Sequence, residues 1–94
     1  MDTLESELVA QAVGGDRAAI QRLLVRHHAD LVARIGAKLP ADLQGVVSAD
    51  DVCQDAYVSV YQQISSLRDR SAGAFRSWLR AITERKLVDT IRAM

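Results

Sequence analysis

Apolar residues in this chain recur every three to four positions, and that spacing constrains the fold more than any other feature. Val52, Ala56, Val60 and Ile64, flanked by Cys53 and Tyr57, fall on one side when projected at about 100° per residue, as an amphipathic helix requires. Leu4, Leu8, Val9 and Ala12 keep the same spacing up to Gly14-Gly15, where glycine's tolerance of left-handed backbone closes a first helix. Asp16 then stands where a carboxylate accepts from the open amides of a second helix. The stripe of that helix runs through Ile20, Leu23, Leu24, His27, Leu31 and Ile35 to about Leu39. Pro40 stops it by disfavouring helical geometry at the residue before, and 41–47, which contains Gly45, reads as a connection. Ser48-Ala49-Asp50-Asp51 resembles a capping box with Asp in place of Glu, which predicts a third helix over 49–64. Residues 65–73 are rich in turn formers and predict a loop, with a fourth helix from about Ala74 to Arg92.

The fold class expected from this pattern is all-α, a single compact bundle of about four helices in one domain over 1–94. A chain of 94 residues buries roughly 60–70% of the surface its unfolded form exposes, so one modest core is the limit. The lone cysteine, Cys53, has no intramolecular disulfide partner, and no apolar run approaches the ~20 residues of a membrane helix. Met1-Asp2-Thr3-Leu4-Glu5 lacks the basic start and apolar stretch of a signal peptide, so a cytoplasmic location is expected. At Ile91-Arg92-Ala93-Met94 the helical pattern ends without a following Gly or Asn, and a longer protein is expected to continue there.

The net charge of zero conceals a separation. Residues 1–67 carry 5 Lys/Arg against 9 Asp/Glu, whereas 68–94 carry 7 against 3. Either the surface is simply dipolar or the two segments meet partners of opposite charge. On the third helix, Asp51, Gln54, Asp55, Val58 and Gln62 share the side away from the core. A stripe of this kind is a solvated face or a docking surface. Val58 in its middle favours docking, with carboxylates pairing to Arg or Lys around a small dry contact.

Phe75, Trp78, Leu79 and Ile82 form a compact apolar face expected to bury against helices two and three. After Thr83 the pattern turns, with Leu87, Val88 and Ile91 pointing to nearly the opposite side, so the last turns either fray or pack on a further segment. Arg68, Arg70, Arg76, Arg80, Arg85, Lys86 and Arg92 lie along the loop and this helix, where phosphates are a natural ligand; Trp78 offers a stacking surface but reads better as core.

Enzyme signatures are missing, and no catalytic residue, cofactor or metal is expected. His27 and His28 are adjacent on a helix and point about 100° apart, which suits one inward and one surface histidine better than a metal. Cys53 reads as a small packed residue.

The run Ala49-Asp50-Asp51-Val52-Cys53-Gln54-Asp55-Ala56-Tyr57-Val58-Ser59-Val60-Tyr61 resembles the polymerase-binding helix of bacterial sigma factors of the extracytoplasmic-function group. Gly15-Asp16 with Ala18-Ala19-Ile20 is similar to that family's Gly-Asp turn and following helix. Phe75-Arg76-Ser77-Trp78-Leu79, with Asp89 and Arg92 beyond, is similar to its promoter-opening helix. The resemblance implies a sigma-70 region 2 domain, with the sigma-four domain absent from this chain. It implies docking of helix 49–64 on the clamp helices of the largest subunit of core RNA polymerase, through Gln54 and Asp55 with Asp51, Val58 and Gln62 beside them. It also implies recognition and melting of the minus-ten promoter element by loop 65–74 and helix 74–92, through Arg68, Arg70, Ser71, Arg76, Arg80, Arg85 and Lys86. The loop of this family takes up a flipped base, at a cost of a few kcal/mol of unstacking. An anti-sigma factor is a further partner that the family admits. Glu84, Arg85, Lys86 and Ser59 depart from its usual residues. The competing expectation is a helical protein–protein adaptor without DNA binding, for which the basic segment is a solvated face.

Overall fold

Each break in the apolar pattern becomes a helix end. A computed structural model describes residues 3–94 and contains α1 (Thr3–Val13), α2 (Arg17–Lys38), α3 (Ala49–Gln63) and α4 (Ala72–Arg92), with short 3-10 turns at Ala41–Leu43 and Ile64–Ser66. Met1 and Asp2, part of the expected cytoplasmic start, lie outside the described residues. α2 packs on α1 and α3, and α4 packs chiefly on α3, giving an all-α bundle around one core. Among the described residues no helix is long and apolar enough to cross a membrane.

The turn between α1 and α2 shows why glycine is needed. Gly15 takes φ +104, and the amides of Gly14 and Asp16 return to the carbonyls of Ala10 and Gln11 at 3.1 and 3.0 Å. The Asp16 carboxylate accepts from the Ala19 amide at 3.2 Å, capping α2. At the other end Leu39 leaves helical geometry immediately before Pro40. Ser48 caps α3 as its sequence predicts, its hydroxyl accepting from the Asp51 amide at 3.0 Å. Ser48→Ala is expected to cost about 1 kcal/mol, seen in thermal melts as a fall in Tm of about 4–8 °C. An unchanged Tm would mean that water caps α3 equally well.

Four details differ from the sequence expectation. On α1 the buried set is Glu5, Leu8, Val9, Ala12 and Val13, while Leu4 is 48% exposed. These positions follow the i, i+3, i+4, i+7, i+8 pattern, so a carboxylate holds the first core position and rotates Leu4 outward. α4 begins at Ala72 rather than Ala74, because Ser71 caps it with a 3.2 Å bond to the Ala74 amide. Beyond Phe75, Leu79 and Ile82, its buried face continues through Thr83 to Leu87 instead of turning over, while Trp78, expected within the core, is only partly buried against its edge. Thr83 is tolerated there because its hydroxyl donates to the Arg80 carbonyl at 2.9 Å. Val88 stays exposed, and Ile91 rests partly buried on the core.

Candidate functional site

α3 separates its two faces completely. Val52, Cys53, Ala56, Tyr57 and Val60 are buried, whereas Asp51, Gln54, Asp55, Val58 and Gln62 are all exposed, Val58 at 59%. Neither Asp51 nor Asp55 enters an ion pair among the described residues, so both carboxylates face outward with their charge unspent.

Asp50, in the same turn, is used internally. His28 Nε2 lies 2.6 Å from Asp50 Oδ1, and His28 Nδ1 lies 2.6 Å from the Tyr57 hydroxyl. Burial first, then Cys53 and Asp50, push the Tyr57 hydroxyl above its usual range, so it remains protonated and donates to Nδ1. Nε2–H then donates to Asp50, and this relay ties α2 to the first turn of α3. Beside it runs a mainly apolar groove of about 520 Å³ between α2 and α3, whose lining includes Leu24, Val25, Gln54, Tyr57 and Tyr61. The Arg17 guanidinium lies 5.1 Å from the Tyr61 ring centre.

The basic residues do not form one surface. Arg76 and Arg80 face α1 and α2: Arg76 lies 3.8 Å from Glu5, and Arg80 lies 3.3 Å from Asp30. Glu84, one turn further along the same strip, accepts from Lys38 at 2.5 Å with Arg34 at 3.6 Å. The Lys38 hydrogen bond holds its carboxyl below the usual range against a smaller opposing effect of desolvation. Arg85 and Lys86 instead line a small cleft against Ser59 and Gln63 of α3. Trp78 is half-buried, 6.0 Å from Phe75 between ring centres. In the loop, Arg68 and Arg70 are exposed, and the Ser71 amide donates to Asp69 at 3.0 Å while its hydroxyl caps α4.

His27 is largely buried, with 12% of its side chain exposed, and His28 is more open at 30%; they serve separate partners, His27 Nε2 meeting the buried Glu5 carboxylate at 2.5 Å. Among the described residues no cluster of His, Cys, Asp and Glu is placed to hold a metal ion. Cys53 is buried, and desolvation, with Asp50 adding, pushes its thiol up to about 11, which keeps it in the unreactive protonated form.

The exposed acid–amide face of α3 and the aromatic start of α4 thus sit on one four-helix frame, and the family model described as sigma-70 region 2 matches residues 24–93. The chain belongs to the sigma-70 region 2 family. This sigma-70 region 2 chain is 36% identical over 90 residues to the ECF RNA polymerase sigma factor SigM of Mycobacterium tuberculosis strain H37Rv, covering 94% of this chain and 42% of that protein. It is also 36% identical over 89 residues to SigM of strain Erdman, covering 93% and 41%. The chain therefore spans about two-fifths of the length of the curated relatives it matches. No solved structure matches it. Within this region 2 domain, the sequence pattern located the α3 stripe but missed the carboxylates that meet the α4 arginines. The one available signal was Asp30, Arg34 and Lys38 at i, i+4 and i+8 on α2, a charged strip wide of the apolar face.

Proposed function

We propose that this chain is the part of a transcription initiation factor that docks on core RNA polymerase and engages the minus-ten promoter element, acting in the cytoplasm. The observation that carries the reading is the α3 face, where Asp51, Gln54, Asp55 and Gln62 surround an exposed Val58 and two carboxylates have no partner among the described residues. Such a face suits a basic, helical partner surface, and the clamp helices of the largest polymerase subunit are that partner in this family. The loop after α3 and α4 supply Arg68, Arg70, Ser71, Arg76, Arg80, Arg85 and Lys86 for the displaced strand, with phosphate contacts giving affinity and the loop receiving an unstacked base.

The test is retention of core polymerase on the immobilised chain. Asp55→Arg is expected to weaken binding at least tenfold while leaving the helical circular-dichroism spectrum unchanged, because a reversed charge meets a like charge across the interface. Equal retention of wild type and Asp55→Arg would sink the reading. A second reading, a protein–protein adaptor without DNA binding, is favoured by the engagement of Arg76 and Arg80 with Glu5 and Asp30. Salt-dependent binding of a single-stranded minus-ten oligonucleotide, weakened by Arg76→Ala or Arg80→Ala, would exclude it.

A further inference from the structure

We infer that Asp30 on α2 acts as an internal competitor for the DNA strand, occupying Arg80 in the unbound domain and giving way to a backbone phosphate. The inference rests on the proposal that α4 engages promoter DNA, and adds a residue outside α4 that regulates it. Arg80 projects from the strip Arg76, Arg80, Glu84, whose members stand four residues apart and therefore about 6 Å apart along the helix. Opposite them α2 presents Asp30, Arg34 and Lys38 at the same interval, so Arg80 meets Asp30 while Glu84 meets Arg34 and Lys38.

The two ends of this ladder differ. Glu84 is held by two cations, with the Lys38 bond at 2.5 Å. The Arg80 guanidinium has a single contact among the described residues, from one terminal nitrogen to Asp30 Oδ2 at 3.3 Å, long for a charge-assisted bond. Among the described residues its buried Nε has no partner either, and only one of the two terminal nitrogens is engaged, which leaves the outer end of the guanidinium mostly unspent. Asp30 is itself well exposed, with 53% of its side chain open to solvent. A solvated one-bond pair of this kind contributes little, whereas a phosphate matches the planar fork bidentately. Phosphate therefore displaces Asp30, and the pair lowers the affinity of the unbound domain for any strand that reaches Arg80. Carboxylate and phosphate cannot both occupy that fork, and their like charges repel.

The experiment measures binding of the chain to a fluorescent single-stranded minus-ten oligonucleotide at several low salt concentrations. The variants are Asp30→Asn, Arg80→Ala, the double variant, and Asp42→Asn, which removes an exposed carboxylate from the distant 3-10 turn and reports the general effect of net charge. Asp30→Asn is expected to bind about two- to fivefold tighter than Asp42→Asn, the range set by an exposed ion pair. In the Arg80→Ala background that advantage is expected to vanish. Equal gains from Asp30→Asn and Asp42→Asn, weaker binding by Asp30→Asn, or a gain that persists without Arg80 would each overturn the inference while leaving DNA engagement intact. No strand binding by any variant, with unchanged helicity, would overturn the DNA part of the proposed function and this inference together.

Discussion

Phe75→Ala is expected to destabilise the domain by about 3–5 kcal/mol, a large share of the ~5–15 kcal/mol by which such domains are stable. Phe75 has no exposed surface and is the largest fully buried side chain. Its ring lies 5.9 Å from His27 on α2 and 6.0 Å from Trp78, so truncation opens a cavity where α2 meets α4 and removes two ring contacts. Relaxation is limited because His27 is held by Glu5 and cannot swing into the space without giving up a 2.5 Å bond. Urea unfolding followed by circular dichroism is the measurement, and the expected signature is a lower midpoint at unchanged slope. Trp78→Ala, at a half-buried site, is expected to cost clearly less. A Phe75→Ala loss below that of Trp78→Ala would show that the core is not centred on Phe75.

The fold was legible wherever one residue type carries one physical message. Gly15, Asp16, Pro40 and Ser48 each sit at a helix end because of a property visible in isolation: a permitted φ, a capping carboxylate, a ring that disfavours helix at the residue before, a capping hydroxyl. The apolar face of α3 was equally plain, since Val52, Cys53, Ala56, Tyr57 and Val60, with Ile64 just past its end, are all buried. Legibility failed where a polar residue was buried. Glu5 and Thr83 break an apolar count, yet each is satisfied by a partner, His27 22 residues away for Glu5 and the local Arg80 carbonyl for Thr83. Counting Glu5 out of the core moved Leu4 into it, and counting Thr83 out made α4 seem to turn over. The early start of α4 was hidden for a different reason: Ala72 and Gly73 have no bulk to mark a first turn, and only the Ser71 cap reveals it.

The candidate site divides in the same way. A surface stripe on one helix depends only on spacing, so Asp51, Gln54, Asp55, Val58 and Gln62 were found from sequence and lie together. The basic set depends on which neighbour each side of α4 meets, and that is tertiary information. Arg76 and Arg80 turn toward carboxylates of α1 and α2, while Arg85 and Lys86 border α3, so one run of cations in sequence becomes two separate seams. Under the proposed DNA-binding role this split carries a consequence: a strand reaching Arg80 would approach over α2, and one reaching Arg85 would approach over α3. The two groups are therefore expected to contribute at different positions along a bound strand.

Glu5→Ala is expected to cost about 2–3 kcal/mol, because it strands groups that fold around that carboxylate. Glu5 is 2% exposed, and among the described residues three side chains from two other helices converge on it: His27 at 2.5 Å, Arg26 at 3.6 Å and Arg76 at 3.8 Å. Breaking a fully buried ion pair costs roughly 3–5 kcal/mol, but Arg26 and Arg76 keep 38% and 50% of their side chains exposed and can turn to water. His27, at 12%, cannot, so most of the loss falls on its unpaired ring nitrogen. Glu5→Gln preserves shape and one hydrogen bond, and is expected to lose about half as much. A double-mutant cycle with His27→Ala in urea unfolding should return a coupling of about 1–2 kcal/mol. A Glu5→Ala chain within about 0.5 kcal/mol of wild type, the range of ordinary surface substitutions, would mean that α1 is held by Leu8, Val9, Ala12 and Val13 alone. Because Glu5 also meets Arg76, the same variant is expected to release that arginine toward solvent, linking the seating of α1 to the charge presented at the start of α4.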